Sequence, residues 1–219
     1  MTSSKYIDEL NFLRNNDAHF GKKQIFNLSK TYKNMSTAEV IELLTNSDHD
    51  LRVGAVAILD WKARDKKVTD QEKEEIFNAY IQNHKWIDDW GLVDRAAPYV
   101  VGGYLYDKDR NPLYVLANSA NPMERRTAIV STYYFIRKNE IQETFNLAEI
   151  LVYDKDEYVQ MAVGSWIREA GKKDISQLIN FLDKFAPIMN RKCLRYAIEK
   201  LDAASKQKYL NAYKSDVNR

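Results

Sequence analysis

LVYDKDEYVQMAVGSWIREAGKK, residues 151–173, decides the fold. An apolar helix end runs into a short polar turn, and a second helix opens after it. Val159, Ala162, Val163, Trp166 and Ala170 then recur at helical spacing, with the small Ala162 in the middle of the stripe. The same shape returns at LTNSDHDLRVGAVAIL (44–59), LANSANPMERRTAIVSTYYFIRK (116–138) and FAPIMNRKCLRYAIEKL (185–201), and more loosely at DRAAPYVVGG (94–103). The small residues are Ala55, Ala97, Ala128, Ala162 and Ala197, about 31 to 42 residues apart. A helical hairpin cannot bury its own apolar faces, but a row of hairpins can, and small residues let neighbouring helices approach. The repeat therefore predicts an all-α chain, a single right-handed α-solenoid domain over 1–219 of about five to six hairpins with a concave face. The second helix of each hairpin is expected near 51–64, 87–106, 123–138, 157–171 and 190–203. Pro98 lies inside the second of these and predicts a kink or restart. Earlier helices are expected near 4–14 and 22–32. Asn121-Pro122 and Ser47-Asp48 read as turns and caps, and the last residues, KSDVNR, as a frayed end.

Composition agrees with a helical protein. Seven Gly and four Pro in 219 residues are too few for a fold built on tight turns. Cys193 is the single cysteine, so no intramolecular disulfide can form, and no stretch approaches the roughly 18 apolar residues of a membrane span. These features point to a soluble cytoplasmic protein without a membrane partner. A net charge of +2, from 33 basic and 31 acidic residues, argues for salt-laced helix surfaces and cannot by itself establish a polyanionic partner.

Most catalytic chemistry has no foothold. His19, His49 and His84 are far apart and lack metal-ligand spacing, so no metal is expected. No Gly-rich nucleotide loop or nucleophile elbow is present, and no cofactor is expected.

Two stretches carry the functional signal: HKWIDDWGLVDRAAP, residues 84–98, and MERRTAIV, residues 123–130. Trp90 and Asp94 are four apart, which places indole and carboxylate on one helix face. Trp86, Trp90, Val93 and Ala97 also form an apolar stripe, on which Trp90 would be core. A Trp-x-x-x-Asp pair followed one repeat later by Arg-Thr-Ala-Ile resembles the HEAT-like repeat DNA alkylation-repair glycosylases, best over residues from about 84 to 170. The resemblance implies that Asp94 is the catalytic carboxylate, Trp90 its aromatic neighbour, and Arg126 a contact to the backbone of double-stranded DNA. It implies excision of cationic N3- or N7-alkylpurines by a monomer without a deep base-flipping pocket. Such a base leaves without a general acid, and the carboxylate stabilises the positive charge growing on the deoxyribose. Arg125 is counted with Arg126 as a DNA contact, although it lies on the stripe of Ala128, Ile129 and Ile136, where its stem is packing or capping.

The chain departs from the family pattern twice. The family has Gly-Trp-x-x-Arg-Glu, and here residues 164–169 read Gly-Ser-Trp-Ile-Arg-Glu. Ser165 therefore stands at the aromatic position beside Arg168, both expected on the DNA side. Trp166 is displaced by about 100° onto the core stripe. The family's additional early helix and its Pro-x-x-Arg turn also have no counterpart here. These departures keep a second function open: a paralogue with weak or no catalysis, acting as a DNA-structure or protein-interaction module. A plain protein-binding scaffold is the third. Lys85, Arg95, Lys172, Lys173, Arg191, Lys192 and Arg195 join the arginines above as candidates for a basic groove, against the alternative of a solvated outer face.

Overall fold

Many of the helices begin where the sequence offers a side-chain oxygen to their free amides. A computed structural model describes residues 1–212. Thr2, Ser36, Asp48, Thr69, Asn121, Asp156, Asp174 and Asn190 each accept a hydrogen bond from the first turn they precede. Thr69 and Glu72 close a reciprocal capping box. All regular structure among the described residues is helical. The expected fraying of 214–219 lies outside the described residues.

The described residues form two compact units, which divide between Asp107 and Lys108. In the first unit α1 (Ser3–Asn16), α3 (Thr37–Leu44) and α5 (Asp70–Gln82) pack in succession. Against them lies a second row of α2 (Lys22–Thr31), α4 (His49–Ala63) and α6 (Trp90–Ala97). Ala55 and Ala97 are completely buried in this row. Tyr6 of α1 reaches through to the second row, where its hydroxyl lies 3.0 Å from Ser29 Oγ. Gly54 makes room for it: a Cβ there would sit 2.1 Å from the tyrosine oxygen.

Pro98 acts as expected on the helix that contains it. It has no N–H to continue the α ladder, and the chain passes into a π turn over Pro98–Gly102, with Gly103 donating to the Pro98 carbonyl. The helical path then resumes as α7 (Gly103–Leu105). This segment starts at Trp90 rather than near 87, because His84–Trp86 forms a separate 3-10 turn.

In the second unit α8 (Asn111–Ala117) packs on α11 (Gln142–Leu151). The other row is α9 (Pro122–Ser131), α12 (Glu157–Gly171) and α14 (Arg191–Ala197). The helix expected over 123–138 is broken: α9 stops at Ser131 and α10 (Tyr133–Arg137) follows. Thr132 Oγ1 bonds back to the Ile129 carbonyl at 2.7 Å, a contact that bends helices. Residues 157–171 form one helix as expected, and α13 (Ile175–Phe185) leads to α14, which ends well short of 203. The last described helix is α15 (Ala203–Ala212).

One device recurs at the turns. Four residues after the cap Asp48, Arg52 donates to the carbonyls of Asn46 and Ser47 at 3.0 and 2.9 Å. Four after the cap Asn121, Arg125 donates to those of Ser119 and Ala120, both at 2.9 Å. Four after the cap Asp156, Gln160 donates to those of Val152 and Asp154 at 3.1 and 2.6 Å. A turn that reverses the chain leaves carbonyls unpaired, and a long donor one helical turn onward satisfies them.

Candidate functional site

The sequence Asp88-Asp89-Trp90 fixes where α6 begins. Asp89 is the cap, and its Oδ1 accepts from the amides of Gly91 and Leu92, the latter at 3.2 Å. Its Oδ2 lies 2.9 Å from His49 Nε2 at the start of α4. Burial pushes the Asp89 carboxyl up, but His49 and the two amides hold it below the usual carboxylate range. Asp88 accepts both of its bonds from Arg52, at 3.2 Å. Both carboxylates before Trp90 are thus tied to the N-terminal turn of α4.

Trp90 is the first residue of α6 and is 46% exposed, so the alternative that makes it core does not hold. Leu92, Val93, Ala96 and Ala97 take the buried side. Asp94, half-buried, stands one turn after Trp90. Lys22 Nζ of α2 lies 5.6 Å from the indole centre.

Next to Asp94 begins a ladder of cations and rings on α2, α4 and α6. The Arg95 guanidinium stands between Phe26 (4.6 Å) and Trp61 (5.2 Å). Lys30 Nζ lies 5.1 Å from the Trp61 ring, and the Arg64 guanidinium 3.6 Å from that of Tyr99. Beneath them Asp60 is completely buried, 2.7 Å from Arg64 Nε and 3.0 Å from Arg95. Burial raises the Asp60 carboxyl above its ordinary range, while the two guanidinium groups pull it back. Each cation in the ladder is held against a ring, which fixes its alkyl stem. Lys22, Phe26 and Lys30 share one face of α2 at i, i+4 and i+8, a spacing visible in the sequence. The rings they meet come from other helices, and nothing local to α2 announces them.

In the second unit the expected contacts are differently placed. Arg125 gives its Nε and Nη2 to Asp154 at 2.5 and 3.0 Å, besides the two turn carbonyls. With its fork committed, it is a turn clamp, as its place on the apolar stripe allowed. Arg126 is 6% exposed and donates to the Tyr158 carbonyl. Arg168 reaches Glu199, and Glu169 at 3.3 and 3.2 Å. Much of the remaining basic set is paired as well: Lys172 with Glu169, Lys192 with Glu157, and Arg191 with the Leu210 carbonyl.

Ser165 is half-buried on α12, and so is Trp166, which corrects the expectation that Trp166 enters the core. Ile167 is the residue fully buried there, with Val163 and Ala170. The indole instead stacks on Tyr133 of α10, ring centres 4.9 Å apart at 36°. The register is fixed by Gly164, where a Cβ would lie 2.3 Å from the Cys193 carbonyl oxygen of α14. Only a glycine face allows that approach, so Ser165 and Trp166 must follow at about 100° and 200°.

Among the described residues no group of three or more His, Cys, Asp or Glu side chains is arranged to hold a metal ion. Nor is any described helix long and apolar enough to cross a membrane. In comparison with known proteins, the family described as DNA alkylation repair enzyme matches residues 11–201. No curated protein and no solved structure matches.

Proposed function

The chain belongs to the DNA alkylation repair enzyme family, and on that premise we propose that it binds double-stranded DNA and hydrolyses the N-glycosidic bond of cationic N3- or N7-alkylpurines. In this reading the HEAT-like hairpins form one right-handed α-solenoid domain that works as a monomer. The alkylated base is already positive, so its C1′–N bond breaks with the electron pair passing to the purine, which leaves neutral. Asp94 stabilises the cationic deoxyribose left behind. Water then adds at C1′, and its proton passes to the Asp94 carboxylate and on to solvent. Trp90 offers an indole face to the positive base, an attraction of roughly 1–2 kcal/mol when desolvated.

The observation that carries this reading is the exposed Trp90 one turn before Asp94, on a helix whose other side is buried. A packing tryptophan at that spacing would be inside. The cation–ring ladder beginning at Arg95 supports a nucleic-acid partner, with Lys22 and Lys30 as phosphate contacts. On α9 and α12, Arg126, Ser165 and Arg168 are proposed as further DNA contacts. Arg126 and Arg168 would exchange present partners for phosphates.

The test is release of free 3-methyladenine and 7-methylguanine from methylated duplex DNA, wild type against Asp94→Asn. Release that the substitution lowers by about 10²–10³-fold supports the reading. No release from folded wild-type protein refutes excision. A second reading then applies, a non-excising DNA-structure or protein-interaction module, favoured by Ser165 standing where the family has an aromatic wall. DNA binding that falls steeply with salt would mark the DNA-structure form of it.

A further inference from the structure

We infer that His49 is a positioning residue for the α6 site: its bond to Asp89 sets the first turn of that helix, and with it the direction of Trp90 and the placement of Asp94. The role assigned to those two residues rests on the function proposed above; the positioning itself rests on geometry alone.

Helix α6 is eight residues long, so its first turn is nearly half of it, and a helix this short is not self-sustaining. Its start depends on one carboxylate. Asp89 Oδ1 holds the amides of Gly91 and Leu92, and Oδ2 meets His49 Nε2 at 2.9 Å. A cap held only by its own helix can rotate about its side-chain bonds. A second anchor on another helix removes that freedom. Asp89 bonded this way is an ionised acceptor, which requires His49 to carry its proton on Nε2.

His49 is itself well held. It is the first residue of α4, and its neighbours Asp48 and Asp50 both pair with Arg14 of α1, each at 2.9 Å. Arg52 of the same helix takes Asp88, so two links join the α4 start to the α6 start. From α2, Lys22 closes the space: a Cβ on Gly91 would lie 2.9 Å from Asp89 Oδ1 and 3.1 Å from Lys22 Nζ. Trp90 follows directly, 46% exposed and with Lys22 Nζ 5.6 Å from its ring. Its direction is inherited from the backbone that Asp89 and His49 determine.

The experiment uses the full chain labelled with 5-fluorotryptophan, the Trp90 resonance being assigned by Trp90→Phe. His49→Ala is expected to shift or broaden the Trp90 fluorine resonance and leave those of Trp61 and Trp166 in place. His49→Gln, whose amide nitrogen can still donate to Asp89, is expected to restore it. Asp89→Ala, which removes the acceptor of the His49 bond together with the cap, should disturb Trp90 at least as much as His49→Ala does. Release of 7-methylguanine is expected to fall about tenfold in kcat for His49→Ala with KM little changed, and to recover in His49→Gln. A Trp90 resonance unmoved by His49→Ala, or not restored by His49→Gln, overturns the inference. If wild-type protein releases no base, the fluorine result still decides the positioning role, and only the proposed function fails.

Discussion

Replacing Gly164 by alanine sets two effects against each other, and their sizes can be worked out. Alanine gains about 1 kcal/mol of helix propensity over glycine in a helix interior. Against this, the new Cβ would lie 2.3 Å from the Cys193 carbonyl oxygen and 2.8 Å from Tyr196 Cβ. A carbon approaches a carbonyl oxygen comfortably at about 3.3–3.6 Å, so α12 and α14 must part by about 1 Å. Overpacking typically costs about 1–3 kcal/mol, and a backbone obstacle belongs at the upper end because it cannot rotate away. The net loss is then about 2 kcal/mol, which for a chain of this length lowers Tm by about 4–8 °C. Gly21→Ala is the control, because a Cβ there would meet nothing within 4 Å. Thermal unfolding followed by far-ultraviolet circular dichroism should show Gly164→Ala well below wild type and Gly21→Ala near it. A Gly164→Ala protein as stable as wild type would refute the claim that this glycine sets the helix approach and the register of Ser165.

Three further outcomes follow from the side chains around the two rows. Lys22→Ala and Lys30→Ala should each weaken duplex binding and reduce the slope of log affinity against log salt by about one, measured by fluorescence anisotropy across a salt series. Arg125→Ala should instead leave that slope unchanged. It strands Asp154, whose side chain is 4% exposed, and should cost about 3–5 kcal/mol in urea unfolding. The third concerns acid. Asp89 is held below the usual carboxylate range against its own burial, and so is Asp48, by Arg14 and two amides. A carboxyl lowered in the folded state adds stability above its unfolded pKa of about 3.9 and loses it as pH falls through the folded value. Asp89→Asn should therefore be less stable than wild type near neutrality, and the gap should close below about pH 4. A gap that stays constant into acid would contradict this.

Much of the helical layout was legible because caps and periodicity are local. Residues 157–171 follow from a polar turn, an apolar stripe and a stop, and the start at Lys22 from the polar, glycine-bearing stretch before it. The break at Thr132 was not legible, since a threonine that bonds back to its own helix looks like any other in sequence. Trp166 was misplaced for a related reason. The stripe 159, 162, 163, 166, 170 and the stripe 159, 163, 167, 170 are equally helical, and only the approach of α14 to Gly164 selects the second. At the candidate site, Trp90 and Asp94 could be paired because four residues make a turn. The ladder of Lys22, Phe26, Arg95, Trp61 and Lys30 is assembled from three helices, and each residue alone reads as an ordinary surface or core position. Arg125 was readable both ways. Its repetition at Arg52 and Gln160, each four residues after a cap, is what identifies it as part of the turn.

Tyr6 has a practical meaning for anyone shortening this chain. Its ring is completely buried, its hydroxyl meets Ser29, and burial with that contact leaves the phenol at a pKa of about 12. Gly54 is bare so that the ring can enter. A truncation beginning at α2 would remove a plug from the wall of α2 and α4, leaving a hole the size of a tyrosine side chain beside a glycine that cannot fill it. Ser29 would retain its bond to the Ile25 carbonyl but lose its other partner. The first helix is thus less a lid on the molecule than a bolt through it. Expression trials that trim from the N-terminus should stop before Tyr6.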